Sequence, residues 1–158
     1  MRGVAIGFFL WLAVGPWAAW AAQDRHAGYY FPTPRSEETY KARAKTLPDA
    51  NRARRIGFTI GLTSQMQNLP YPPPFAIFAK GEEAEKLVIV GLREGEMNTI
   101  YRARAVLAIL TASARASSFF QDHHVEDYFT FFDLAKLLGF SQITISDGHR
   151  FAHRILIQ

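Results

Sequence analysis

The sequence contains no cysteine among its 158 residues. Thiol catalysis, covalent haem attachment and thiolate metal sites are therefore excluded, and no disulfide can stabilise the fold. Other common signatures are missing as well: the chain has no GxSxG nucleophile motif, no HExxH zinc motif and neither of the common glycine-rich phosphate loops. We therefore expect no catalytic residue that a motif would identify, and no bound cofactor.

An excess of charge of one sign is also lacking. The chain has 18 basic and 14 acidic residues, and they are interspersed except for the three arginines in residues 52–55. A nucleic-acid-binding surface needs a strongly basic face, so we expect no nucleic-acid partner. The arginine cluster would suit an anionic membrane surface, although such clusters are more often solvated or paired within the protein.

Tryptophan is confined to the start of the chain, at positions 11, 17 and 20. There, Arg2 precedes an apolar run, Gly15-Pro16 interrupts it, and Ala19 and Ala21 are the small residues that a signal peptidase recognises. We therefore expect residues 1–21 to be a signal peptide that directs the protein to the periplasm. An uncleaved anchor in the inner membrane is the alternative, because residues 3–22 carry no charge and could span a bilayer.

The next segment, residues 22–50, is expected to be an extended arm followed by a short helix. Gly28, Pro32 and Pro34 disfavour regular structure, while Tyr29-Tyr30-Phe31 supplies three consecutive aromatic side chains. These aromatics would be costly to leave in water, so we expect them to pack on this protein or on another. Ser36 followed by two glutamates predicts a helix from there to about residue 45.

Residues 51–158 are predicted to form a single α+β domain. Alternation of apolar residues with glycine or threonine favours a strand at 56–62, and other apolar runs predict strands at 75–79, 86–92, 142–146 and 154–158. Helical periodicity predicts helices at about 97–116 and 125–138, with Gly139 ending the second. Because strands and helices occur in runs, we expect a mainly antiparallel sheet of about five strands with two main helices on one face.

Two pairs of histidines are the candidate metal ligands. His123 and His124 lie among acidic residues, but adjacent side chains point in different directions. His149 and His153 are four residues apart and would share a face of either a helix or a strand. An exposed turn leading into an edge strand is the favoured explanation of this second pair, since no glutamate lies between the two histidines as in a zinc protease.

Four segments resemble a family of small exported bacterial proteins known under the label "molybdopterin-guanine dinucleotide biosynthesis protein A": HAGYYFPTP (26–34), RRIGFTIGLTSQM (54–66), FAIFAKGEEAEKLVIVGL (75–92) and FTFFDLAKLLGFSQITISDG (129–148). The label implies a nucleotidyltransferase that acts on GTP. True enzymes of that name begin with an LAGGxSxRMG-type loop, and no such motif occurs here. The resemblance therefore transfers no catalytic residue, and it leaves the nucleotidyltransferase function disfavoured.

These observations favour an exported, non-catalytic accessory protein that docks on a larger protein or on a membrane-associated complex. Aromatic and proline-rich segments offer rigid apolar surface for such a partner, and the predicted docking residues are Tyr29, Tyr30, Phe31, Tyr71 and Phe75. The alternative is a small periplasmic metal- or ligand-binding protein, or an enzyme, that uses His123, His124, His149 and His153.

Overall fold

The computed structural model describes residues 32–158. The predicted signal peptide at 1–21 and the aromatic residues 29–31 lie outside this range. The described chain forms five strands and four helices. In chain order they are β1 (Ser36–Tyr40), α1 (Arg52–Gln67), β2 (Phe75–Lys80), β3 (Lys86–Gly91), α2 (Ile100–Arg115), α3 (Ser118–Asp122), α4 (Phe131–Leu137), β4 (Gln142–Ser146) and β5 (Ala152–Ile157). Within this range no helix is long and apolar enough to cross a membrane.

All five strands belong to one sheet, in the order β1-β5-β4-β3-β2. The pairs β2/β3 and β4/β5 are antiparallel hairpins, whereas β3/β4 and β1/β5 are parallel. The α+β class and the five strands are thus confirmed, but the sheet is mixed rather than mainly antiparallel. The reason is the long helical connection from β3 to β4, which returns the chain to the start of a neighbouring parallel strand.

The strand predicted at 56–62 is wrong, because these residues lie inside helix α1. Asn51 caps this helix by accepting a hydrogen bond from the Arg54 amide at 2.9 Å. The apolar residues that face the core are Phe58, Leu62 and Met66, which are four residues apart. The sequence therefore does contain helical spacing of its apolar residues. Gly57, Gly61 and the alternation of apolar residues with glycine or threonine obscured it.

The short helix predicted from Ser36 to Lys45 is also wrong. Residues Ser36–Tyr40 form the edge strand β1, in which Ser36 lies opposite His153 and Tyr40 opposite Ile157. An ion pair between Glu37 and Arg154 also links the two strands, on the face of the sheet opposite to Ser36 and His153. Pairing with a strand more than a hundred residues away overrides the local helical tendency of this segment. Local sequence patterns cannot reveal such a distant pairing.

The remaining predicted elements are largely confirmed. The strands at 75–79, 86–92 and 142–146 match β2, β3 and β4, and the helix at 97–116 contains α2. The second predicted helix is shorter than expected: α4 begins after Thr130, whose amide donates to Asp133 Oδ2 at 2.8 Å. Gly139 follows α4 with a φ of +81°, which favours glycine.

The core lies between the helices and one face of the sheet. The innermost side chains are fully buried aliphatic residues from the three central strands: Leu87, Ile89, Ile143, Ile145 and Ile155. From α2, Ala103, Val106, Leu107, Leu110 and Ala114 are buried. Burial of each large aliphatic side chain contributes about 1.5–3 kcal/mol.

Several strand ends and the loops attached to them meet at one edge of the sheet. The carboxyl ends of the parallel strands β3 and β4 meet there with the first residues of β1, β2 and β5. Ligands of open sheets with parallel strands bind beyond the carboxyl ends of those strands. We call this the loop edge.

Candidate functional site

Two clefts open at the loop edge. The polar cleft, of about 630 Å³, is lined by Arg35, Glu94, Gly95, Asn98, Asp147, His149, Arg150 and Phe151. The apolar cleft, of about 470 Å³, is lined by Pro73, Pro74, Phe75, Glu94, Gly95, Glu96, Met97, Arg102, Ala105, Val106 and Ile109. Residues 94 and 95 border both, so the two clefts are neighbours. Each has the volume typical of a site for a small ligand or for an inserted side chain.

The turn from β4 to β5 shapes one wall of the polar cleft, and Asp147 holds it. The Asp147 Oδ1 accepts hydrogen bonds from the backbone amides of residues 149, 150 and 151 at 2.8–2.9 Å. Burial would raise the pKa of this carboxyl, but the three amides stabilise its charged form and hold the pKa below its usual range. The Asp147 carboxylate therefore organises the turn, and it presents His149 and Arg150 to the cleft.

Two guanidinium groups line the polar cleft from separate parts of the chain. Arg35 precedes β1 and Arg150 lies in the β4–β5 turn, and both side chains are exposed. Within residues 32–158 neither guanidinium makes an ion pair or a hydrogen bond, and the same is true of the Glu94 carboxylate. By contrast, Arg102 donates to the carbonyl of Gly95 and to the Asn98 side chain. The polar cleft thus contains both positive and negative groups that lack partners among the described residues.

A polar cluster lies just inside the loop edge, on strands β1 and β5. Ser36 Oγ lies 2.9 Å from His153 Nδ1, and Glu38 Oε1 lies 3.2 Å from His153 Nε2. Arg104 from α2 donates to Glu38 Oε2 at 3.1 Å. Burial would raise the pKa of the Glu38 carboxyl, but His153 and Arg104 outweigh it and lower that pKa.

Hydrolases activate a nucleophilic hydroxyl with an imidazole that a carboxylate orients. The same three groups are in contact here, in the side chains of Ser36, His153 and Glu38. His153 is 3% exposed, however, and none of the three residues lines either cleft. The cluster therefore fastens β1 to β5 and to helix α2, directly behind Arg35 and Phe151. Its effect on the polar cleft is to position the first residues of both strands.

The apolar cleft lies between the proline-rich segment and helix α2. Of its lining residues, Ile109 is 55% exposed. Two more exposed side chains lie next to lining residues in the sequence: Tyr71 (92%) precedes Pro73 by two positions, and Tyr101 (83%) precedes Arg102. Tyr101, Ala105 and Ile109 recur at every fourth residue and so form one stripe along α2. Large exposed side chains beside an apolar depression are typical of a protein-binding surface.

The predicted docking residues have different environments. Tyr71 lies at the exposed tip of the proline-rich segment, as docking requires. Phe75 is only 5% exposed and packs in the core, so it contributes a wall of the apolar cleft. Tyr29, Tyr30 and Phe31 lie outside the described residues.

The four candidate metal ligands fall into two separate places. His149 lines the polar cleft and His153 lies behind it, whereas His123 and His124 are exposed after α3. The His123 ring packs edge-on against Phe119, with 4.8 Å between ring centres. In the part of the chain that the structure describes, no group of three or more His, Cys, Asp or Glu residues could hold a metal ion.

The arginine cluster at 52–55 is engaged within the protein. Arg52 donates to the carbonyl of Glu82, and Arg54 pairs with Asp49. Arg55 is buried and donates to the carbonyls of Glu83 and Leu138 at 2.8 and 3.4 Å. These arginines join α1 to the β2–β3 turn and to the end of α4.

Sequence reasoning missed several residues of the loop edge. Tyr101 and Ile109 could have been found, because the solvent face of an amphipathic helix should be polar and here it carries an apolar stripe. No local signal pointed to Arg35, Glu38 or Arg104, because only the pairing of β1 with β5 brings them together.

No family model, curated protein or solved structure matches the chain, so the candidate site rests on its own geometry.

Proposed function

We propose that this protein is an exported, non-catalytic accessory protein that docks on a larger protein through the apolar cleft and its exposed rim. The observation that carries the proposal is the combination of a 470 Å³ apolar cleft with the exposed side chains of Tyr71, Tyr101 and Ile109. Tyrosine is enriched among the residues that dominate binding energy at protein interfaces, because it buries a large rigid ring and keeps a polar tip.

The chemistry of the cleft defines the partner's contact. Its inner wall is apolar, with Phe75, Met97 and Val106, and its rim carries Arg102, Glu94 and Glu96. A protruding apolar side chain of the partner would fill the cleft, and polar groups around that side chain would meet the charged rim. The prolines at 73 and 74 stiffen one wall, which lowers the entropy lost on binding.

The matching experiment uses the tagged full-length protein, recovered from gently solubilised membranes and from the periplasm, with mass spectrometry of the retained proteins. Tyr71→Ser, Tyr101→Ser and Ile109→Ser, singly and combined, should reduce recovery of a stoichiometric partner. Ile60→Ser is the matched control, because Ile60 is similarly exposed but lies on α1, a helix that contributes no residue to the apolar cleft. Circular dichroism establishes that each variant folds.

Equal recovery of the partner by all variants would refute docking through the apolar cleft. The proposal also includes the segment at residues 29–31 as a second contact. Changing Tyr29, Tyr30 and Phe31 together to alanine should abolish docking while the domain still folds. The mass of the recovered N-terminus distinguishes release after Ala21 from a membrane tether.

Two other functions considered from the sequence have separate tests. Metal analysis of the purified protein after loading with zinc or copper tests a carrier that uses the four histidines. A titration with GTP tests the nucleotidyltransferase that the family label implies, and saturable binding would revive it.

A further inference from the structure

We propose that the polar cleft binds a small zwitterionic molecule, of which an amino acid or a short peptide is the simplest case. In this arrangement Arg35 and Arg150 hold a carboxylate, and Glu94 accepts a hydrogen bond from an ammonium group. The proposal does not rest on the docking function, since it concerns the neighbouring polar cleft. The two clefts share only Glu94 and Gly95.

The two arginines supply the first argument. Guanidinium groups bind carboxylates through paired, charge-assisted hydrogen bonds. Among the described residues, Arg54, Arg55, Arg93, Arg104 and Arg154 each pair with an acidic side chain. Arg35 and Arg150 have no such partner there, although both line the same cleft. Two like charges facing one depression repel each other, and a bound carboxylate would relieve that repulsion.

Helix α2 supplies the second argument. Its first residue is Ile100 and its cap is Thr99, so the helix begins directly after Asn98, which lines the polar cleft. The N-terminal end of a helix carries a partial positive charge that favours a bound anion. The cap of this 16-residue helix directly follows a residue that lines the polar cleft.

The acidic side chains of the cleft decide which anion fits. Asp147 is occupied by three backbone amides and remains fixed in its turn. Glu94 is exposed, and its carboxylate has no partner within residues 32–158. A multiply charged anion would be repelled by Glu94, whereas a zwitterion offers it a positive group. Phe151, Asn98 and His149 also line the cleft and would contact the body of the ligand.

The test measures binding of a panel of amino acids and dipeptides to the purified protein by calorimetry. Acetate and inorganic phosphate serve as simple anions. We expect saturable binding of at least one zwitterion. The Arg35→Gln and Arg150→Gln variants should each weaken that binding by roughly tenfold or more, the loss expected for one charge-assisted pair. Arg52→Gln is the matched control and should not change it, because Arg52 is exposed and lies outside the cleft.

The Glu94→Gln variant gives the sharper result, because its effects on the two ligand classes have opposite signs. It should weaken binding of the zwitterion and strengthen binding of acetate or phosphate. Saturable binding of no panel member would overturn the proposal, as would binding that both arginine variants leave unchanged. Tighter binding of zwitterions by Glu94→Gln would overturn the assigned role of Glu94 and would identify a plain anion site. The variants change exposed side chains, and thermal unfolding confirms that each one is folded.

Discussion

Buried charged side chains in this protein bind main-chain groups more often than they bind one another. Asp133 is fully buried, and it accepts hydrogen bonds from the backbone amides of Thr130 and Arg43 at 2.8 and 2.7 Å. Asp147 does the same for the β4–β5 turn, and Arg55 donates to two carbonyls. Each of these residues fixes a loop through main-chain hydrogen bonds, and Arg55 also pairs with the exposed Glu83. Each loop conformation therefore depends on one buried side chain.

The Asp133→Ala variant tests this dependence for the start of α4. Removal of the carboxylate leaves the amides of Thr130 and Arg43 without their acceptor and frees the loop after β1. We expect the free energy of unfolding to fall by about 3 kcal/mol, as for other buried donors that lose a charged partner. Urea denaturation measures the change.

The control is Asp127→Ala, because Asp127 is exposed and should change stability by no more than about 0.5 kcal/mol. A loss from Asp133→Ala as small as that of the control would show that the loop holds its conformation without the carboxylate.

Acid should destabilise the protein through Glu38 and Asp147. Folding lowers the pKa of both carboxyls from their ordinary values of 4.5 and 3.8. Their stabilising contributions are therefore present above those values and are lost as the pH falls through the lower folded-state pKa values. Glu38→Gln and Asp147→Asn should reduce the free energy of unfolding near neutral pH. This loss should shrink as the pH falls below 4.5 for Glu38 and below 3.8 for Asp147.

Urea denaturation of the wild type and the two variants across this pH range measures the effect. Glu37→Gln is a neighbouring control on the opposite face of β1. If the stability lost by Glu38→Gln or Asp147→Asn stayed constant with pH, the loss of the carboxylate charge would not be the cause of the destabilisation.

Among the elements, helix α1 is the one whose sequence fits its structure least well. It contains two glycines, Gly57 and Gly61, and an added Cβ at either position would meet no atom within 4 Å. Glycine inside a helix costs about 0.5–1 kcal/mol relative to alanine, because the unfolded chain loses more freedom. Gly57→Ala and Gly61→Ala should therefore each stabilise the protein by about that amount in urea denaturation.

Gly139→Ala is the opposite case and serves as the control. Its φ is +81°, and an added Cβ would lie 2.7 Å from Nη1 of the buried Arg55 side chain. We expect a clear loss of stability from this variant. Destabilisation by Gly57→Ala and Gly61→Ala would indicate that α1 does not form as described.

For the whole molecule, strand β5 is the element on which the sheet depends most. It is the last strand in sequence, yet it lies between β1 and β4 and pairs with both. A chain that ends at Phe151 should therefore lose the pairing of two strands and the buried Ile155 and Ile157. We expect it to show no cooperative thermal unfolding by circular dichroism.

A chain that lacks only Gln158 is the control. It loses two backbone hydrogen bonds, to Tyr40 and from Ala42, and it keeps all of β5. This chain should unfold cooperatively at a somewhat lower temperature. Cooperative unfolding of the chain that ends at Phe151 would show that β1 to β4 form a stable sheet without β5.

The loop edge shows why the fold was easier to predict than the site. The strands β2, β3 and β4 and helix α2 carry strong local patterns, and all four were found. The candidate site combines Arg35 with Arg150 and Ser36 with His153, from opposite ends of the described chain. Local patterning contains no information on such pairs, because it reports which face of an element is apolar and not which element lies beside it.

The sequence by itself determined the α+β class, the apolar interior of the central strands and the absence of cysteine chemistry, since these depend on composition and on local periodicity. Tertiary structure alone decided that residues 36–40 form a strand, that 52–67 form a helix and that the sheet is mixed. Pairing between distant segments adds backbone hydrogen bonds and buried area that exceed the small differences in local propensity. The same pairing created the polar cleft, because it brought two arginines and a glutamate from three separate loops to one edge.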